Sequence, residues 1–163
     1  MMITQAVMHD ARSPRRDARE VGEALQGVLV DLVDLSLLGK HAHWNVEGVT
    51  FGSLHPQLDE LVDAWRCLSD DVAERAATLG FAPDAQAATV ARDSRIDAFP
   101  AGRISDRDLV VGLTDRLGDV IDRARLAMGE AAVRDSISED LLIEVVKTLE
   151  KQHWMLRAQR EPA

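Results

Sequence analysis

The chain has 163 residues, 46 % hydrophobic and 29 % charged, which suits one domain with a substantial core and excludes a disordered chain. A formal net charge of −9 repels nucleic acid over most of the surface and attracts cations. No stretch reaches the roughly 18 consecutive apolar residues of a membrane span, and no apolar run with a small-residue cleavage site opens the chain, so no membrane partner is expected and the cytoplasm is the predicted location.

Residues 1–17 read as a flexible N-terminal tail, 18–158 as one bundle and 159–163 as a short C-terminal tail. Arg12, Arg15, Arg16 and Arg19 outnumber Asp10 and Asp17 in the first 19 residues, a small basic excess in an acidic chain. The first predicted helix runs from about Val21 to His43. Val21, Leu25, Val28, Leu32 and Leu35 form its apolar stripe, widened by Leu29, Val33 and Leu37, against a narrower polar face of Glu23, Gln26, Asp31 and Asp34.

The second predicted helix, Ser53 to Leu79, carries a seam of Leu54, Leu58, Leu61, Trp65, Leu68, Val72 and Leu79. Ser53 suits its N-cap, Pro56 its first turn and Gly80 its stop. Cys67 lies within this amphipathic pattern, where a buried or half-buried free thiol without a catalytic role is expected. A third helix, about Asp106 to Met128, opens on the capping pattern Ser105 to Asp108, and a fourth spans about Glu139 to Leu156.

The class is therefore all-α. The first and third helices are followed by short links, so each joins antiparallel neighbours, whereas residues 81–104 form a long connection containing Pro83, Pro100 and Gly102. A structureless link of that length is unusual, which predicts a short helix near Ala85 to Ala91. Two antiparallel hairpins joined by one long crossover describe a ferritin-like four-helix bundle.

Metal-ligand chemistry concentrates between His43 and Glu74. On the second helix His55 and Asp59 are four apart, as are Asp70 and Glu74, and at about 100° per residue all four share one face. Asp59 and Asp70 are nonetheless separated by roughly 16 Å of helix, too far for bonds of about 2 Å to join both pairs around one ion. Two copies of the helix set antiparallel across a two-fold axis would resolve this, facing each His55/Asp59 pair with the partner's second pair and creating two equivalent sites. His43 could complete the nitrogen set. Two imidazoles and several carboxylates, without thiolate, suit iron(II), with zinc or manganese as competitors.

The stretch Lys40-His41-Ala42-His43-Trp44-Asn45-Val46-Glu47-Gly48, followed by Phe51, His55, Asp59, Asp70 and Ala73-Glu74-Arg75 with Leu79-Gly80, closely resembles the Dps family of mini-ferritins, the DNA-binding proteins from starved cells. The resemblance implies a dodecameric shell that binds two iron ions per inter-subunit site, oxidises iron(II) preferably with hydrogen peroxide and stores ferric mineral, protecting the cell from oxidative damage. It implies that His43, His55 and Asp59 come from one subunit, and Asp70 and Glu74 from its two-fold partner.

On that basis His43, His55 and Asp59 form the firmer metal site, Glu74 bridges to a second ion, and Asp70 is an outer ligand or hydrogen-bond acceptor. Lys40 is the expected charge partner of Asp70. Trp44 either packs an interface or donates an electron beside the site. Asp135, Glu139 and Asp140 fall roughly where the family lines its three-fold iron pores, although Ser136 with Glu139 also reads as a capping box.

His9, His41 and His153 receive no ligand role. The lone Glu150/His153 spacing does not supply the repeated pairs of an intra-bundle di-iron site. Two other functions stay open. Arg12 to Arg19 could bind DNA in a nucleoid-compacting protein whose iron chemistry is secondary, or the shared face could merely pack.

Overall fold

The computed structural model describes residues 14–160; residues 1–13, with His9 and Arg12, and residues 161–163 lie outside that range. The chain forms α1 (Pro14–Asn45), α2 (Phe51–Thr78), α3 (Ala87–Asp93), α4 (Asp106–Ala132) and α5 (Ser136–Arg157). α1 packs mainly on α2 and α4 mainly on α5, and the two hairpins meet through α1–α4 and α2–α5 contacts. This is the expected ferritin-like arrangement, with α3 inside the long crossover.

Several boundaries differ from the sequence expectation. α1 begins at Pro14, seven residues before Val21, because proline suits a first helical position and Arg16–Glu20 and Arg19–Glu23 add ion pairs of 2.8 Å at i,i+4 spacing. The boundary drawn at residue 17 therefore falls inside a helix, and Arg15, Arg16 and Arg19 are helical. α2 takes Thr50 as its N-cap. Ser53 instead donates its hydroxyl to the Thr50 carbonyl at 3.0 Å, and Pro56 falls in the second turn.

Ser105 caps α4 as expected, its hydroxyl accepting from the Asp108 N–H at 3.1 Å. α5 starts after Asp135, which makes Ser136 the first helical residue and leaves no Ser136–Glu139 capping box. Cys67 is exposed on α2, not buried.

The core is leucine-rich, with Leu25, Leu32, Leu35, Leu58, Leu113, Leu117, Leu142 and Leu149 fully buried around Trp65. Trp65 donates its indole N–H to the buried Gln152 amide oxygen at 2.8 Å, which satisfies the ring's single polar atom and ties α2 to α5. α1 packs tightly on α2 at Gly39, where an added Cβ would lie 2.6 Å from Val62 Cγ2 and 2.7 Å from Trp65 Cζ3.

Beyond the exposed Glu23, the polar face of α1 is not a solvated surface. Gln26 donates to the Asp84 carbonyl at 2.6 Å and accepts from its N–H at 2.9 Å, and Asp34 accepts from the Ser94 hydroxyl. Asp31, only 1 % exposed, receives Arg95 at 2.6 Å and Arg123 at 2.9 Å. These bonds fasten the crossover along α1. A buried carboxylate needs such charged donors, since leaving it unpaired costs several kcal/mol.

Between α1 and α2 the five residues 46–50 turn the chain. There β1 (Val46–Glu47) pairs in parallel with β2 (Ile104–Ser105), a two-residue ladder that no periodicity in the sequence announces. The Asp106 carboxylate accepts from both the Thr50 N–H and hydroxyl at 2.7 Å. Gly48 sits at φ +138°, and a Cβ there would collide with the same carboxylate.

Gly102 has a comparable φ of +102° but open space around it. Alanine at either position should store about 1–3 kcal/mol of backbone strain, while only Gly48→Ala must also displace Asp106. In urea unfolding, Gly48→Ala should therefore destabilise the fold by at least about 1 kcal/mol more than Gly102→Ala, the usual cost of lost hydrogen bonds of this kind. Equal costs would show that the Asp106 contact does not constrain the turn.

Candidate metal centre

The turn brings His43, in the last turn of α1, against His55, in the second turn of α2. Their rings stack with centroids 3.6 Å apart. His43 Nδ1 lies 3.0 Å from the His55 carbonyl oxygen, and His55 Nδ1 lies 3.0 Å from that of His43. A carbonyl can only accept, so each Nδ1 carries a proton, and the metal-binding form of each ring presents its lone pair on Nε2. Two imidazoles are thus oriented, with tautomers set by backbone, as metal-ligating histidines require. His43 is 8 % exposed and His55 half-buried.

Asp59 lies one turn beyond His55, its Oδ1 3.4 Å from His43 Nδ1 and 2.6 Å from Lys40 Nζ. The expected Lys40–Asp70 partnership is not formed within the chain. Lys40, three residues before His43, reaches the near half of α2 rather than its far half. The hydrogen bond from Lys40 is the leading reason the Asp59 carboxyl is held below its ordinary value, helped by the nearby histidine and lysine charges and opposed by burial. Asp59 is therefore an ionised acceptor whose oxygen is occupied by the Lys40 ammonium group.

Asp70 and Glu74 are not brought to this cluster; they lie farther along α2, roughly 16 Å of helix separating Asp70 from Asp59. Among the described residues no group of three or more histidine, cysteine, aspartate or glutamate side chains is arranged to hold a metal ion within one chain. Trp44 is 71 % exposed, with Lys40 Nζ 5.8 Å from its ring centre. His41 is half-buried, with Asn45 donating to its carbonyl at 2.8 Å.

The pore candidates separate. Asp135 receives Arg75 at 2.6 Å and the Ser138 hydroxyl at 2.5 Å. Burial pushes its carboxyl up, but these hydrogen bonds and the Arg75 charge outweigh that and hold it below the ordinary value. Glu139 and Asp140 stand in the first turns of α5, outside that ion pair. Glu150 is bound by Arg125, which engages the one carboxylate of the Glu150/His153 spacing.

The reciprocal histidine–carbonyl bonds and the buried Asp31–Arg95–Arg123 group have no signal in the sequence. The twelve-residue interval between His43 and His55 reports neither ring orientation nor backbone contact, and Asp31 and Arg123 meet only through folding.

Helix order, crossover and the histidine–carboxylate face together define the ferritin-like class. A sequence model of the ferritin-like domain matches residues 22–162. The DNA protection during starvation protein of Mycolicibacterium smegmatis is 34 % identical over 148 residues, covering 91 % of this chain and 81 % of that protein. The fine tangled pili major subunit of Haemophilus ducreyi is 38 % identical over 138 residues, 85 % of this chain and 73 % of that one. The crystal structure of Dps92 from Deinococcus radiodurans superposes with a TM-score of 0.86 at 33 % identity, covering 90 % of each chain. The chain belongs to the Dps family of ferritin-like proteins.

Replacing Lys40 with methionine removes the ammonium while keeping an apolar stem. The Asp59 carboxyl should then titrate at higher pH than in the unaltered chain, read by its carboxyl carbon shift in NMR. An unmoved titration would mean the 2.6 Å contact is not what holds Asp59 ionised.

Proposed function

We propose that the protein is a ferroxidase and iron store that works at sites shared between subunits. The observation that carries this reading is the split face of α2. One half presents His55 and Asp59, with His43 of α1 packed beside them and both Nε2 atoms left free by the backbone bonds at Nδ1, and the other presents Asp70 and Glu74. Roughly 16 Å of helix lies between them. A second copy set antiparallel supplies the missing half of each site.

Iron(II) is the substrate. Imidazole nitrogen and carboxylate oxygen without thiolate suit it, and zinc can substitute by the same donor chemistry. His43, His55 and Asp59 bind the first ion as Lys40 leaves Asp59; Glu74 of the partner subunit bridges to a second ion and Asp70 of the partner subunit accepts a hydrogen bond or ligates from outside. Two iron(II) ions surrender one electron each to hydrogen peroxide, whose O–O bond breaks with uptake of two protons to give two waters and two iron(III) ions. Pairing the electrons releases no hydroxyl radical. Ferric product is stored in a dodecameric shell in the cytoplasm, and Asp140, free of the Arg75 pairing that engages Asp135, is the leading pore carboxylate.

DNA binding is not the reading the residues favour. Arg16 and Arg19 are engaged by Glu20 and Glu23 on α1, and the chain is strongly acidic.

Replacing His55 and Asp59 together with alanine should slow peroxide-driven iron(II) oxidation at least ten-fold with the helical signal preserved, since neither is a core residue. Unchanged kinetics would remove these residues from the site.

Sharing has its own test. A chain lacking His55 and Asp59, and another lacking Asp70 and Glu74, should each be nearly inactive. Co-refolded one to one, half the two-fold pairs are mixed and each restores one of two sites, so about a quarter of wild-type activity should return by the isologous geometry. Mixtures confirmed by mass that recover nothing would place the site elsewhere.

A further inference from the structure

The shared site proposed above fixes a register on α2, and the register holds only if that site does. If His55 faces Glu74 of the partner subunit and Asp59 faces Asp70 of the partner subunit, the two-fold axis passes between Ala64 and Trp65. Positions equally distant from that point oppose each other across it. At about 100° per residue, Asp63 and Arg66 lie roughly 30° either side of the midline of the ligand face. No other residue between Asp59 and Asp70 lies so near it; Cys67 and Val62 fall about 70° away. Asp63 and Arg66 are also equidistant from the axis, so each Asp63 stands opposite the partner's Arg66.

Within one chain this pair is loosely made. Arg66 Nη1 is 3.9 Å from Asp63 Oδ1, with the side chains 59 % and 77 % exposed. Both groups can turn outward, and the face they occupy is charge-complementary to its own antiparallel copy. We propose that Asp63 and Arg66 form two reciprocal ion pairs across the two-fold axis, setting the register in which Asp59 meets Asp70 of the partner subunit.

Slippage is penalised in both directions. Moving the partner helix by three residues one way puts Asp63 opposite the partner's Asp63, and three the other way puts Arg66 opposite the partner's Arg66. Like charges at close range are an effective bar to a wrong register. The quartet is neutral overall and sits between two clusters of carboxylates that repel when no cation is present. It therefore holds the interface together before iron arrives.

Two charge reversals test this. Asp63→Arg gives a chain with arginine at both positions, and Arg66→Asp a chain with aspartate at both. Each copy then repels itself across the axis, whereas a mixed pair restores both attractions. Repulsion inside each chain is unchanged by mixing, so only a contact between subunits can produce rescue.

In native mass spectrometry over a dilution series at low salt, each variant alone should dissociate at a concentration at least ten-fold above the unaltered chain. The co-refolded mixture should return towards the unaltered value, with mixed pairs well above the half expected of random pairing. Asp63→Asn, which removes charge without reversing it, should weaken pairing by a smaller factor and guards against misfolding of the reversals. Unchanged dissociation of the reversals, or pairs in random proportion, would overturn the proposal. The mass readout needs no iron. If the reversals do nothing while the ligand-deficient chains still recover a quarter of the activity, the register proposal falls and the shared site stands; if neither experiment responds, both fall.

Discussion

The chemistry of this chain hangs on the turn that converts α1 into α2. Asp106 holds Thr50 by two hydrogen bonds and leaves room only for glycine at position 48, while Val46 and Glu47 pair with the strand that precedes α4. The turn is thereby fastened to the far end of the crossover. It delivers two helix ends so close that His43 and His55 can each bond the other's carbonyl. Ring orientation, tautomer and the reach of Lys40 to Asp59 all depend on that closeness.

The bundle itself is conventional in its energetics. Leucine packing around Trp65 supplies the apolar burial, and one buried indole–amide hydrogen bond spans α2 and α5. Less obvious is how the crossover is stored. Gln26, Asp31 and Asp34 form a polar track on α1 that receives Asp84, Arg95 and Ser94 in turn. A long connection is thus held by hydrogen bonds rather than by a second apolar face, and the residues that look solvated on a helical wheel are structural.

α2 divides its duties by face. Its apolar seam builds the core, while the opposite arc holds Asp70, Glu74 and the loose 3.9 Å Asp63–Arg66 pair. Helix geometry prevents the two ends of that arc from cooperating within one subunit. Lys40 meanwhile keeps Asp59 ionised and occupied, so this carboxylate is not left bare.

By itself the sequence determined the helical class, the two hairpins, the short crossover helix and which side chains share the arc of α2. Those features are periodic or local, and periodicity survives in a string of letters. It also excluded that both ligand pairs of α2 hold one ion within one subunit, since distance along a helix is set by residue count. Tertiary structure decided that α1 starts at Pro14, that Lys40 pairs with Asp59 within the chain, that Cys67 is exposed, and that Asp31 is buried between Arg95 and Arg123. It also decided that each histidine is set by the other's backbone. These contacts join residues 12 to 92 positions apart, or turn on the direction a side chain takes, and both are fixed only when the helices pack.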